Sequence, residues 1–153
     1  MKQKLTLYLL LASVIFFFLT RAHGQTISPV VAECGRRCSN QFTLTNNGVV
    51  PLAVSIEAKS FSIVGGQQVL RDLDPTAHLT LSETSVRIGP LGVHSFDYKL
   101  RCDQLPCAVA LQVAMTLGHT SEGVQVRGIL PEIVYSCLKA KNCRRDTLKA
   151  GGM

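Results

Sequence analysis

Tryptophan is absent from this sequence, and six phenylalanines and three tyrosines are its only large aromatic residues. A carbohydrate-binding platform of stacked rings has little to be built from. The C-x-x-C spacing of thiol–disulfide redox centres is also missing. His78, His94 and His119 are scattered, without the close His–His spacing that zinc sites use. No Gly-x-Ser-x-Gly elbow surrounds Ser60, Ser82 or Ser95. The acidic residues Asp72, Asp74, Glu83, Asp97, Asp103, Glu122 and Glu132 fall at turn-like or strand-polar positions with no catalytic signature around them. His94, Ser95 and Asp97 are close in sequence, but neighbouring residues of a strand point to opposite faces. The expectation is a protein that is not an enzyme and needs no metal or cofactor.

No uninterrupted apolar run reaches the roughly twenty residues of a membrane-spanning helix. Leu5 to Leu19 is the longest, and it follows Lys2 and Lys4 and ends at Thr20-Arg21. A charged start and a short apolar run read as an export signal, with Ala22 and Gly24 placing small residues three and one positions before a cut at Gln25. An uncleaved anchor is the alternative. The expected division is a signal peptide over 1–24, one domain over 25–143 and a frayed tail over 144–153. No membrane span is expected after cleavage, and the mature chain is expected in the periplasm or outside the cell.

Strong charge is lacking too. The formal +6 falls to +3 when Lys2, Lys4 and Arg21 leave with the signal, and much of the remainder sits at Lys139, Lys141, Arg144, Arg145 and Lys149. A polar tail is not the basic stripe, interleaved with aromatics, of a nucleic-acid binder, so no nucleic-acid partner is expected. The mature chain of about 129 residues is long enough for one domain with a real core.

Six cysteines are present, all after the cut, in three close couples: Cys34 and Cys38, Cys102 and Cys107, Cys137 and Cys143. An even number in an exported chain points to disulfides, because the cytosol keeps thiols reduced. Each couple is expected to close on itself as a small clamp; a bridge from the first couple to the last is the alternative. Alternation with a period of two dominates the rest. Phe42 and Leu44, then Leu52, Val54 and Ile56, Leu79 and Leu81, and Val86 and Ile88 occupy alternate positions. Phe96, Tyr98 and Leu100, then Val109, Leu111, Val113 and Met115 continue it, and a long strand ends near Tyr135. Asn46-Asn47-Gly48, Gly65-Gly66, Asp74-Pro75, Gly89-Pro90 and Gly118 punctuate these runs, the first as a turn that tolerates positive φ. Several short strands with regular turns predict an all-β, antiparallel, Ig-like sandwich with local disulfides.

The order of segments adds a resemblance. Ile27-Ser28-Pro29, the run from Phe42 to Gly48 and Pro51 to Ile56 resemble the opening of the amino-terminal Ig-like domain of periplasmic pilus chaperones. Leu79 to Pro90 and Ile129 to Tyr135 resemble a later stretch and the final strand of that domain. The resemblance implies a protein partner, a pilus subunit lacking one strand, which takes up the final strand by strand addition. Ile129, Pro131 and Ile133 are the matching alternate positions, although Pro131 donates no backbone hydrogen bond. Lys139 stands loosely where the family has a carboxylate-anchoring Lys, and Val30 stands where it has an Arg. The eighteen residues after Tyr135 are not expected to form the family's second Ig-like domain. The resulting expectation is a protein-binding module, acting like a single-domain chaperone in pilus or envelope assembly. A stand-alone structural or adhesive Ig-like domain, with Ile129, Ile133 and Tyr135 completing its own core, is the alternative.

Overall fold

Alternating apolar and polar residues favour extended chain, and the computed structural model, which describes residues 24–117 and 127–138, contains ten strands and no helix among them. One sheet is formed by β1 (Thr26–Ser28), β3 (Arg37–Thr45), β8 (Val93–Cys102) and β6 (Ala77–Leu81), in that spatial order. The other runs β2 (Val31–Cys34), β10 (Arg127–Ser136), β9 (Cys107–Leu117), β4 (Leu52–Val64) and β5 (Gln67–Asp72), and β7 (Ser85–Ile88) also pairs with β4. All strand pairs are antiparallel except β2 with β10, which is parallel. The first extended segment therefore changes sheets between Ser28 and Val31, leaving β3 for β10. Both strands of this switch are too short for alternation to announce them. Residues 1–23 of the proposed signal, Gly118, Glu122-Gly123, Lys139 and the rest of the tail lie outside the described residues.

Each alternating run places its apolar members between the sheets. Phe42, Leu44, Phe96, Tyr98 and Leu100 from one side meet Leu52, Val54, Val109, Leu111, Val113 and Val134 from the other, all buried. Phe42 and Phe96 are directly opposite on β3 and β8 and stack with centroids 5.0 Å apart. Burial of each such side chain stabilises by about 1.5–3 kcal/mol, which makes this row the main source of cohesion. The outer face of the four-stranded sheet is polar: Ser39, Gln41, Asp97 and Lys99 alternate with the core residues and are exposed.

Gly65 and Gly66 form a two-residue hairpin, both with positive φ (57° and 79°), between the paired residues Val64 and Gln67. That is the backbone such a tight connection requires, and glycine adopts it without a Cβ penalty. Asn46-Asn47-Gly48 behaves otherwise than the sequence suggests, since none of the three has positive φ. Asn46 is instead fully buried, and its Nδ2 donates to the carbonyls of Val50 (2.9 Å) and Gly89 (2.8 Å) while its Oδ1 accepts from the Gly48 N–H (3.0 Å). An Asn after a strand can serve as a polar staple as readily as a left-handed turn residue.

Gly92 closes the turn that begins at Gly89, donating to the Gly89 carbonyl at 3.1 Å. A Cβ at Gly92 would lie 2.9 Å from that oxygen and 3.0 Å from Ile88 Cγ2. Gly92→Ala is expected to destabilise the fold by about 1–3 kcal/mol in urea unfolding, because backbone must move to admit one methyl group.

Two local disulfides, Cys34–Cys38 and Cys102–Cys107, clamp the same end of the sandwich. Their loops are held together by Cys102 N–H donating to the Arg36 carbonyl at 3.2 Å. Cys137 is also disulfide-bonded; Cys143, its expected mate, lies outside the described residues.

Candidate functional site

β10 carries three of the four residues expected to bind a partner, and its two faces are unequal. Leu130, Glu132 and Val134 point between the sheets, whereas Ile129, Pro131, Ile133 and Tyr135 lie on the outer face. Ile129 is 52% exposed, and Pro131 is exposed as well. Ile133 and Tyr135 join a smaller outer cluster with Phe61, Ala108, Ala110 and Cys137, in which Tyr135 meets the Phe61 ring edge-on at 6.1 Å. The main core is thus completed by the other register of the strand, a distinction that an apolar residue at nearly every position had hidden.

Along one edge β10 pairs with β9 over its full length, Arg127 to Ser136. Along the other, β2 covers only Ile133 to Ser136. Among the described residues, no strand pairs with this edge over Arg127–Glu132. Ile133 N–H donates to the Val30 carbonyl (2.9 Å) and Cys137 N–H to the Cys34 carbonyl (3.1 Å), so odd-numbered residues direct their backbone groups toward β2. By strand alternation, Arg127 and Ile129 present N–H and C=O to the open half of this edge, and Pro131 presents C=O alone. The missing N–H of Pro131 therefore costs the β9 ladder nothing and shortens the open edge. Val30, at the position expected to lack an anchoring Arg, is an exposed side chain whose backbone helps close the covered half. Lys139 lies outside the described residues.

The same change of sheets leaves a second open half-edge. β1 pairs with β3 only at Thr43–Thr45, so the β1 side of Arg37–Phe42 has no partner strand among the described residues. Here Asn40 Oδ1 accepts from the Gln41 N–H at 2.9 Å, which caps one of the donors a partner strand would need.

Glu132 is fully buried beneath the open half of β10, a placement the sequence did not disclose. Tyr98 Oη donates to its Oε1 at 3.2 Å, while Oε2 has no hydrogen-bond partner. Burial pushes the Glu132 carboxyl up to about 7, opposed by the Tyr98 bond, and burial followed by the Glu132 charge raises the Tyr98 phenol. His94 and Ser95 face opposite ways: His94 packs edge-on against Phe96 at 4.7 Å, and Ser95 Oγ lies 3.0 Å from Thr43 Oγ1 across the outer face.

No protein-family model and no curated protein matches the sequence. Among solved structures, the chain is similar to WR4, an MSP family member of C. elegans, with TM-score 0.54 and 11% identity over 73% of this chain and 96% of that one. It is similar to a PapD-like domain of human CEP192, with TM-score 0.51 and 12% identity over 79% and 90%. It is also similar to a chain in the Salmonella enterica complex of the SafA pilin with the SafB chaperone, with TM-score 0.57 and 8% identity over 79% of this chain. In that last comparison it spans 57% of the matched chain's length. These likenesses show the fold, an Ig-like sandwich.

Proposed function

We propose that this chain is a periplasmic or secreted protein-binding module that acts in pilus or envelope assembly by adding a strand of a partner to the open edge of β10. The observation that carries the reading is the half-covered final strand: β2 closes Ile133–Ser136 and stops, leaving the backbone of Arg127 and Ile129 ready to pair. Ile129 and Pro131 then offer exposed apolar side chains beside that backbone, which is the division of labour of strand addition. The fold's similarity to a chain in a complex of a pilin with its chaperone supports the choice of partner, a pilus subunit lacking one strand.

A second reading, a stand-alone structural or adhesive domain, is favoured by two observations. Pro131 on the open edge and the Asn40 cap on β3 are devices that discourage strand pairing. Mixing the disulfide-bonded protein with a strand-deficient pilus subunit separates the two readings. Strand addition is expected to give a soluble complex, resolved by size-exclusion chromatography, that Pro131→Val tightens by restoring an edge donor. Absence of any complex, with Pro131→Val equally inert, would leave the structural or adhesive role.

A further inference from the structure

The outer face of the four-stranded sheet gathers cations that the sequence keeps about sixty residues apart. Arg37 on β3 is directly opposite Arg101 on β8, and His78 on β6 continues that row. The next row is Ser39, Lys99 and Thr80. Like charges directly opposite one another on a sheet destabilise it, so this pairing needs an explanation beyond the fold. Asp103 answers only part of the charge, lying 3.5 Å from Arg101 Nε and 2.8 Å from His78 Nε2. Arg37 and Lys99 have no ion-pair partner among the described residues.

These side chains line an open, shallow groove of about 560 Å³ on the outer face of the sheet. A second hollow of about 460 Å³ continues from it, sharing Ser39, Thr80 and Lys99 and adding Ser82 and the Asp97 carboxylate. One end therefore offers two guanidinium forks and an ammonium, the groups that fit the oxygens of a tetrahedral anion. The other offers hydroxyls and a carboxylate, partners for sugar hydroxyls. The Cys34–Cys38 and Cys102–Cys107 bonds constrain the backbone next to Arg37 and Arg101, on which the cationic end is carried.

We propose that this groove binds a saccharide carrying a sulfate or phosphate ester, with the ester at Arg37, Arg101 and Lys99 and the sugar toward Ser82 and Asp97. The site lies on the opposite sheet from the open edge of β10, so either can fail without the other.

Isothermal titration of the disulfide-bonded protein with glucose 6-sulfate and glucose 6-phosphate tests the site, with glucose, inorganic sulfate and a short oligonucleotide as the other arms. The esters are expected to bind saturably, and both glucose and inorganic sulfate more weakly. Arg37→Gln and Lys99→Gln, exposed changes that leave the core intact, are each expected to weaken ester binding by about ten- to a hundredfold. Asp103→Asn is expected to tighten it by freeing Arg101, a gain that a merely destabilised protein would not show. Arg71→Gln, on β5 of the other sheet, is expected to change nothing. Ester binding indifferent to Arg37 and Lys99, inorganic sulfate binding as tightly as the esters, no saturable binding, or tighter binding of the oligonucleotide would each overturn the proposal.

Discussion

Glu132→Gln is expected to remove a loss of about 3 kcal/mol in stability that the parent domain undergoes as pH rises from 4.5 to about 7. The folded protein holds the proton on Glu132 more tightly than the unfolded chain does, because burial disfavours the carboxylate. Between the unfolded value of 4.5 and the folded value of about 7, the folded state binds more protons, so its stability falls as pH rises. Above about pH 7 both states are ionised, and this contribution levels off. Gln keeps an oxygen for the Tyr98 hydroxyl and carries no proton to lose in this range. Asp74 and Asp103 are held below the usual aspartate range, by hydrogen bonds from Thr76 and His78 respectively, and contribute stability that is lost only at more acid pH. The difference between parent and variant, measured by urea unfolding at steps from pH 4 to 8, isolates Glu132. Parallel curves for the two proteins would contradict this account of the buried carboxyl.

The second large effect is expected at Asn46. Its side chain joins the β3–β4 connection to the turn between β7 and β8, through the carbonyls of Val50 and Gly89. Its backbone N–H donates to Gly92 O at 2.9 Å and reinforces the same junction. Asn46→Ala would leave two carbonyls short of a donor and open a small void, at a cost of about 3–5 kcal/mol. Asn46→Asp is expected to do no better, because the oxygen replacing Nδ2 would face those carbonyl oxygens. A loss below about 1 kcal/mol for either variant in urea unfolding would show that the junction holds itself without this side chain.

Much of the sandwich is written in alternation, because a half-buried strand must place every second residue in the core. Phe96-Asp97-Tyr98-Lys99-Leu100 reads directly as β8, and Leu52 to Ile56 as the first part of β4. The continuation of β4 to Val64 is not marked by alternation, since Phe61 turns to the outer cluster and the apolar phase changes there. β5 is mostly exposed and keeps no clean alternation. In β10 the outer row Ile129, Pro131, Ile133 is as apolar as the inner row Leu130, Glu132, Val134. Pattern alone could not choose the face, and the one acid among these residues proved to be the buried one. The open half-edge depends on where β2 stops, and the Arg37–Arg101 juxtaposition depends on the β3–β8 register. Both follow from long-range pairing that no local stretch encodes.

Amide hydrogen exchange at Ile129 tests the central claim most directly. Its N–H points to the uncovered half of the β10 edge, whereas Leu130 faces the β9 ladder and Ile133 is bonded to Val30. In the free protein Ile129 is expected to exchange fast while Leu130 and Ile133 exchange slowly. Addition of a strand-deficient pilus subunit is expected to slow Ile129 to the level of those neighbours. An Ile129 amide already protected in the free protein, or one that stays fast in a complex with the subunit, would contradict strand addition at this edge.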